Sequence, residues 1–392
     1  MAVAKSKRTL EAGRRARVLI VDDSMVMRRL VTLALEHEPC LEIVGTAKNG
    51  IEAIERVSSL APDILTMDIE MPEMDGLEAL RRIRQIAPQV RVVMLSTHTE
   101  RGASATLEAL ALGADDYVTK QSAGKSVDDS TGKLRDDLVP KLKQFFTFSA
   151  ATIAADTHKA VTPTATLDIP KPRYVSEPGI SNCTPRVVAI GISTGGPTAL
   201  ASIVPLIPQG FHLPILIVQH MPPLFTKLLC ERLQERSPLC VREAIHGEII
   251  KPGFILLAPG DFHMRVELLP GDRKPRISLD QGPPENSCRP AVDTLFESLA
   301  KVYGGATIGA ILTGMGHDGL RGARLLKKVG AIIYAQDEES SAVWGMPRAV
   351  AEANIADGIF PLTDIVPQIL KQCRGALAPT ELRLQETNRC LK

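Results

Sequence analysis

Two groups of side chains in this sequence have the residue types and spacing that chemistry requires. The first is acidic: Asp22 and Asp23 stand together, and Asp68 follows the apolar run Ile64 to Met67. Three clustered carboxylates repel one another unless a hard divalent cation sits among them, and Mg²⁺ with oxygen ligands fits. A carboxylate at such a metal can attack an incoming phosphate and form an acyl phosphate. Ser96 or Thr97, and Lys120, stand at later strand ends, where they can bond to and neutralise that phosphoryl group. Taken singly, these residues have plainer uses, Asp-Asp-Ser as a helix cap and Asp68 as a turn residue.

The second group is Ser193, His220 and Asp318. Gly191-Ile192-Ser193-Thr194-Gly195-Gly196-Pro197 turns a strand into a helix. A dinucleotide fingerprint wants glycine where Ser193 stands, so that backbone can approach pyrophosphate. The GxSxG spacing fits a sharp turn that exposes a nucleophilic serine, and a capping serine in a Gly-rich turn is the plain alternative. A serine needs a base to take its proton, and neutral imidazole suits that task near pH 7. His220 ends the apolar run Ile215 to Gln219, and Asp318 follows the run Ile308 to Thr313. His246 and His263 fall in loops with no strand end before them, and His317 neighbours Asp318 in one loop. Strand-end placement therefore favours His220 as the base. The order Ser, His, Asp differs from the Ser, Asp/Glu, His order of α/β-hydrolases.

These residues need a rim to meet on, and strand and helix alternation supplies two. Arg17 to Val21, Glu42 to Gly45, Asp63 to Met67 and Arg91 to Leu95 read as strands, with helical spacing between them. Ser24 is placed to cap the first helix. A second alternation, from Arg186, has its clearest strands at Val187 to Ile190, Ile215 to Gln219, Phe254 to Leu257, Ile308 to Thr313 and Ala331 to Ala335. Strands that are apolar throughout imply parallel sheets covered on both faces, which place sites at their carboxyl ends. The fold expected is α/β, two doubly wound parallel-sheet domains, flavodoxin-like and Rossmann-like, joined by a Pro-rich linker. The boundaries expected are a disordered basic tail (1–16), a first domain (17–124), a linker (125–184), a second domain (185–375) and a C-terminal tail (376–392).

Bulk composition agrees with this reading. The 392 residues are 44% apolar and 23% charged, as in a soluble globular protein. A net charge of +1 gives no pull toward nucleic acid or anionic membranes. No apolar run is long enough to span a bilayer, and the basic N-terminus lacks the apolar region of a secretory signal. An Arg-rich start fits an organelle transit peptide less well than a solvated tail. Seven scattered cysteines without a CxxC pair imply neither a zinc site nor a disulfide framework, which fits a reducing cytoplasm.

The stretches VDDS, MDIEMPEMDG and GADDYVTK, with the hydroxyl at Ser96, resemble the response-regulator receiver family. The resemblance implies that Asp68 accepts a phosphoryl group from a histidine kinase. It further implies that Asp22, Asp23 and Asp68 hold Mg²⁺, that Ser96 is the switch hydroxyl and that Lys120 contacts the phosphate. Gln121 stands where that family usually has proline. Further along, GISTGGP, IVQHMPP, APGDFHM, GPPENSCRPAVDTLF, ILTGMGHDG and WGMPRAV resemble the protein-glutamate methylesterases of bacterial chemotaxis. By that resemblance Ser193 is the nucleophile, His220 the base and Asp318 its orienter, while Thr194 helps position His220. The backbone N–H of Met315 helps bind the oxyanion. His317 fills the variable position of GMGxDG, and Trp344 stands where the family often has phenylalanine. The implied reaction is hydrolysis of γ-glutamyl methyl esters on cytoplasmic chemoreceptor helices, releasing methanol, with glutamine deamidation in some members. That reaction needs no cofactor, no nucleic acid and no membrane insertion. An unphosphorylated receiver covering the esterase site until Asp68 is phosphorylated is implied as well.

Overall fold

The computed structural model describes residues 7–120, 127–148 and 183–373. The chain forms two compact units, divided between Lys171 and Pro172. Gln121, most of the expected linker and the expected C-terminal tail from 376 lie outside the described residues.

In the first unit the elements run β1 (Arg8–Thr9), β2 (Ala16–Val21), α1 (Met25–Leu35), β3 (Leu41–Ala47), α2 (Gly50–Leu60), β4 (Ile64–Asp68), α3 (Gly76–Ile86), β5 (Arg91–Ser96), α4 (Glu100–Ala111), β6 (Asp116–Thr119), α5 (Val127–Lys143) and β7 (Phe146–Thr147). The main sheet has the order β3-β2-β4-β5-β6, and every neighbouring pair is parallel. Parallel strands need crossover helices on both faces, which explains why β2, β4 and β5 carry apolar side chains on both sides. Ser24 caps α1 as the sequence suggests, its side chain accepting from the N–H of Met27. Asn49, Asp75 and Thr99 cap α2, α3 and α4 in the same way.

Both ends of this unit extend beyond the limits expected from sequence. β1 pairs in parallel with β7, and Leu10 is buried. Arg8 and Arg14 reach the buried carboxylate of Asp63 at 2.7 and 3.0 Å. Part of the segment expected as a disordered tail is therefore tied down, because a buried carboxylate needs cationic partners. Beyond residue 125, expected as linker, α5 packs on α1, with Leu138, Leu142, Phe145 and Phe146 buried and Arg135 2.7 Å from Glu38.

The second unit contains β8 (Val187–Ile192), α6 (Gly196–Ile203), β9 (Ile215–Gln219), α7 (Pro223–Gln234), β10 (Cys240–Glu243), β11 (Phe254–Leu257), β12 (His263–Glu267), β13 (Arg276–Asp280), α8 (Val292–Val302), β14 (Thr307–Ile311), α9 (Leu320–Lys328), β15 (Ile332–Gln336), α10 (Met346–Glu352), β16 (Gly358–Phe360) and α11 (Leu362–Gln372). Seven strands form one parallel sheet in the order β10-β11-β9-β8-β14-β15-β16. Val187, Leu216, Ile311 and Ile333 of this sheet share one hydrophobic core with Phe296 of α8. The antiparallel ribbon β12–β13 stands apart from it, an element the strand and helix alternation did not announce. Cys40, Cys183, Cys230, Cys288 and Cys373 are free thiols, whereas Cys240 is disulfide-bonded. Among the described residues no helix is long and apolar enough to cross a membrane.

Candidate active site and phospho-acceptor pocket

In the first unit, β2 and β4 are neighbours, so Asp22 and Asp68 leave their carboxyl ends side by side. Carboxylate oxygens of Asp22, Asp23 and Asp68 all lie within 4.8 Å of one another. Lys120, just past β6, places Nζ 2.8 Å from Asp22 Oδ2 and 2.7 Å from Asp68 Oδ2. Burial pushes the Asp68 carboxyl above its ordinary pKa despite the lysine. Burial alone would lower Lys120, but the Asp68 and Asp22 carboxylates outweigh it and raise the amine. Among the described residues the buried Asp22 Oδ2 has no hydrogen-bond partner, and Lys120 meets it as an ion pair. An under-satisfied buried oxygen within a set of hard carboxylate donors fits a divalent cation.

Ser96 is in a different arrangement. Its Oγ lies 2.6 Å from Thr106 Oγ1 and 3.1 Å from the Gly102 carbonyl, both on α4. The expected switch hydroxyl is thus held by α4 instead of meeting Asp68. The Thr97 hydroxyl instead lies 3.0 Å from that of Thr99.

In the second unit, β8 sits between β9 and β14, and these three strands deliver the three expected residues to one rim. Ser193 follows β8, and its N–H donates to the Thr313 carbonyl at 2.9 Å. His220 follows β9, and its N–H donates to the Ile192 carbonyl at 3.2 Å. The turn after Ser193 is tight: a Cβ at Gly196 would lie 1.8 Å from Gln219 Oε1. Asp318 closes the loop after β14, with Oδ2 2.8 Å from His220 Nε2.

Five donors converge on the Asp318 carboxylate. Besides His220, Oδ2 accepts from Val292 N at 2.6 Å. Its Oδ1 accepts from Asp293 N at 3.1 Å, Gly319 N at 2.9 Å and Asn286 Nδ2 at 3.0 Å. Burial would raise this carboxyl, but the His220 hydrogen bond and charge, with the backbone donors, hold it below its ordinary value. Burial likewise pulls His220 down, yet its bonds to Asp318 and to the Cys288 thiol outweigh that and raise the imidazole above its ordinary pKa. With Nε2 on Asp318, Nδ1 is the nitrogen that would act as base, and the Cys288 thiol competes with Ser193 for the ring. Among the described residues no hydrogen bond joins Ser193 Oγ to the imidazole, a gap that substrate closure commonly tightens.

The remaining expected residues fall as follows. Thr194 is buried in the Ser193 turn, and its carbonyl accepts from Thr313 Oγ1 at 2.9 Å. Met315 is 42% exposed, and among the described residues its N–H has no hydrogen-bond partner. It follows Gly314, where a Cβ would lie 2.7 Å from Ser193 Cβ, so the free N–H belongs to a turn pressed against Ser193. The rival histidines are engaged elsewhere. His263 opens β12 instead of lying in a loop, and its ring bonds to the Pro283 carbonyl at 3.0 Å. His246 Nδ1 accepts from Leu279 N at 3.0 Å, and His317 is exposed.

Several residues around the site escaped the sequence reading. Gln219 Nε2 donates to the Ser193 and His220 carbonyls at 3.0 and 3.2 Å, tying both turns together. Gln336 Oε1 accepts from Thr313 N at 2.8 Å beneath the same rim. Both are polar residues ending apolar strands, which is the signal that could have found them. Asn286 carried no such pattern.

Residues 188–369 match the family model "CheB methylesterase", and residues 18–129 match "Response regulator receiver domain". A protein-glutamate methylesterase/protein-glutamine glutaminase of Nocardioides sp. is 45% identical over 369 residues, covering 93% of this chain and 98% of that protein. The chain belongs to the protein-glutamate methylesterase/protein-glutamine glutaminase family. The Trichodesmium erythraeum member is 43% identical over 364 residues, covering 91% of this chain and 98% of that protein. Among solved structures, the Thermotoga maritima CheB methylesterase catalytic domain is 44% identical. It covers 48% of this chain and 99% of that one, with a TM-score of 0.46. The family places a regulatory receiver ahead of a hydrolase, in the order of the two units here.

Proposed function

We propose that this chain is a phosphorylation-regulated hydrolase that removes methyl esters from glutamate side chains of chemoreceptor cytoplasmic helices, in chemotaxis adaptation in the cytoplasm. The observation carrying this reading is the His220–Asp318 pair at 2.8 Å on the strand ends that flank the Ser193 turn. Ser193 Oγ attacks the ester carbonyl as His220 Nδ1 takes its proton. The Met315 N–H faces the developing oxyanion, and Thr194 helps position His220. Asp318 stabilises the imidazolium, which then protonates the departing methoxide. Methanol leaves, and water, deprotonated by His220, cleaves the acyl-enzyme to give glutamate. A glutamine amide in the same place would lose ammonia by the same steps, the second activity named for the relatives.

In the receiver, Asp68 accepts a phosphoryl group from a histidine kinase, and Lys120 offers its cation to the phosphate. Asp22, Asp23 and Asp68 would hold Mg²⁺, which when bound supplies positive charge for the incoming phosphate. Ser96, released from α4, would contact the same phosphate. Phosphorylation at Asp68 then raises the esterase rate.

The test is methanol release from methyl-labelled receptor membranes. Ser193→Ala and His220→Ala should each cost about four to six orders of magnitude in turnover, since triad members act as a unit. Retained activity in either would sink the assignment. For the regulation, the full chain should speed up with a phosphodonor, and a fragment starting near Thr184 should not respond. Equal rates for the chain with and without the phosphodonor would refute the control by Asp68.

A further inference from the structure

Asn286 stands outside the three residues that do the chemistry, yet its side chain reaches the centre of them. It lies in the loop between β13 and α8, and consecutive residues there, Asn286 (φ 51) and Ser287 (φ 62), adopt left-handed backbone. Asparagine tolerates that conformation better than most residues, so the turn alone could account for its presence. The amide shows a second use. Nδ2 donates to Asp318 Oδ1 at 3.0 Å and to Asp293 Oδ2 at 3.2 Å. A side-chain amide nitrogen carries two hydrogens, one for each of these carboxylates.

The two acids it bridges are both buried and adjacent, at 2% and 3% exposure. Like charges in a low-dielectric setting repel unless donors lie between them. Asp293 Oδ1 is taken by the Gly322 N–H at 2.8 Å, and Arg321 Nε stays 3.9 Å from Oδ2. Of the five donors on Asp318, three are backbone N–H groups and one is His220 itself. The fifth, Asn286, is the neutral side chain of the set. A carboxylate is free to swing about its last torsion, so the donors on Oδ1, with Val292 N on Oδ2, decide whether Oδ2 points at Nε2.

We propose that Asn286 is a positioning residue of the esterase site, holding the Asp318 carboxylate on His220 by bridging it to Asp293. This rests on the Ser193, His220, Asp318 reading above. Asn286 acts through Asp318 on the imidazolium of the transition state, so its loss lowers kcat and leaves KM in place.

Two full-chain variants separate this from a turn residue. Asn286→Gly keeps the left-handed turn and removes the amide. Asn286→Asp keeps the shape and replaces the donor with a third carboxylate. Methanol release from methyl-labelled receptor membranes is expected to show kcat reduced roughly 10–100-fold in both, a size typical of groups that orient a catalytic ligand from behind. KM should stay at the wild-type value, and thermal melting should report the same folded fraction. Wild-type kcat in Asn286→Gly overturns the proposal and leaves a turn residue. A loss carried by KM overturns it in favour of substrate contact, and a loss matching unfolded protein in both variants overturns it too. If Ser193→Ala still releases methanol, the esterase reading itself fails and takes this one with it.

Discussion

With five donors around it, the Asp318 carboxylate keeps its charge in a pocket where burial alone would favour the neutral acid. That charge is what holds the His220 imidazole above its ordinary range, against burial and together with the Cys288 thiol. A base must be neutral to take a proton, so kcat/KM should rise with pH and level off only above pH 6.5, the ordinary imidazole value. Asp318→Asn removes the negative charge that favours imidazolium. The acid limb of kcat/KM should therefore move to lower pH while the maximal rate drops by about 10⁴-fold. A pH profile of methanol release for both proteins checks this, and an unmoved acid limb would contradict it. At this scale the placement of Ser193, His220 and Asp318 on one rim was legible because each follows an apolar run. Asn286 was not, since a loop residue's reach across to a carboxylate depends on a turn that no periodicity encodes.

At the scale of elements, the strand-end turns govern precision. Gly314 begins the turn that carries Met315, and a Cβ there would meet Ser193 Cβ at 2.7 Å and Met346 Sδ at 2.5 Å. The methionine can yield, but Ser193 is fixed by its bond to Thr313 and by Gln219. Gly314→Ala should therefore displace the nucleophile. A misplacement approaching an ångström costs about 100-fold in rate. Methanol release measured beside a thermal melt would show activity falling much further than stability. Sequence located the apolar runs of β4, β8, β9 and β14 well, and the ends of these strands carry Asp68, Ser193, His220 and Asp318. It passed over the short β16 and the ribbon β12–β13, whose alternating exposure resembles loop composition. His263 was misjudged for the same reason, since it opens a strand that the pattern did not reveal.

Across the whole molecule, each unit buries its own core, and damage to one is expected to leave the other's chemistry in place. Phe296, fully buried beneath the esterase sheet, illustrates this. Phe296→Ala should destabilise the second unit by about 3–5 kcal/mol. Esterase activity should vanish at lower temperature, while phosphate uptake at Asp68 from a small-molecule phosphodonor continues. Loss of both together would contradict separate cores. The two-unit plan was readable from two alternations separated by Pro-rich sequence. The true extent of the first unit was not, because its closing pieces are charged or very short.

Those closing pieces bear on how receivers can be exchanged between proteins. The family match runs from 18 to 129, whereas β1 lies before it and β7 after it. A chimera cut at the match borders would discard that ribbon together with Arg8, Arg14 and the Arg17 N–H, the three groups that meet the Asp63 carboxylate among the described residues. Its buried carboxylate would then face the interior with nothing to answer its charge. A graft spanning 7 to 148 carries the ribbon along, and should melt at a higher temperature than one trimmed to the shared borders.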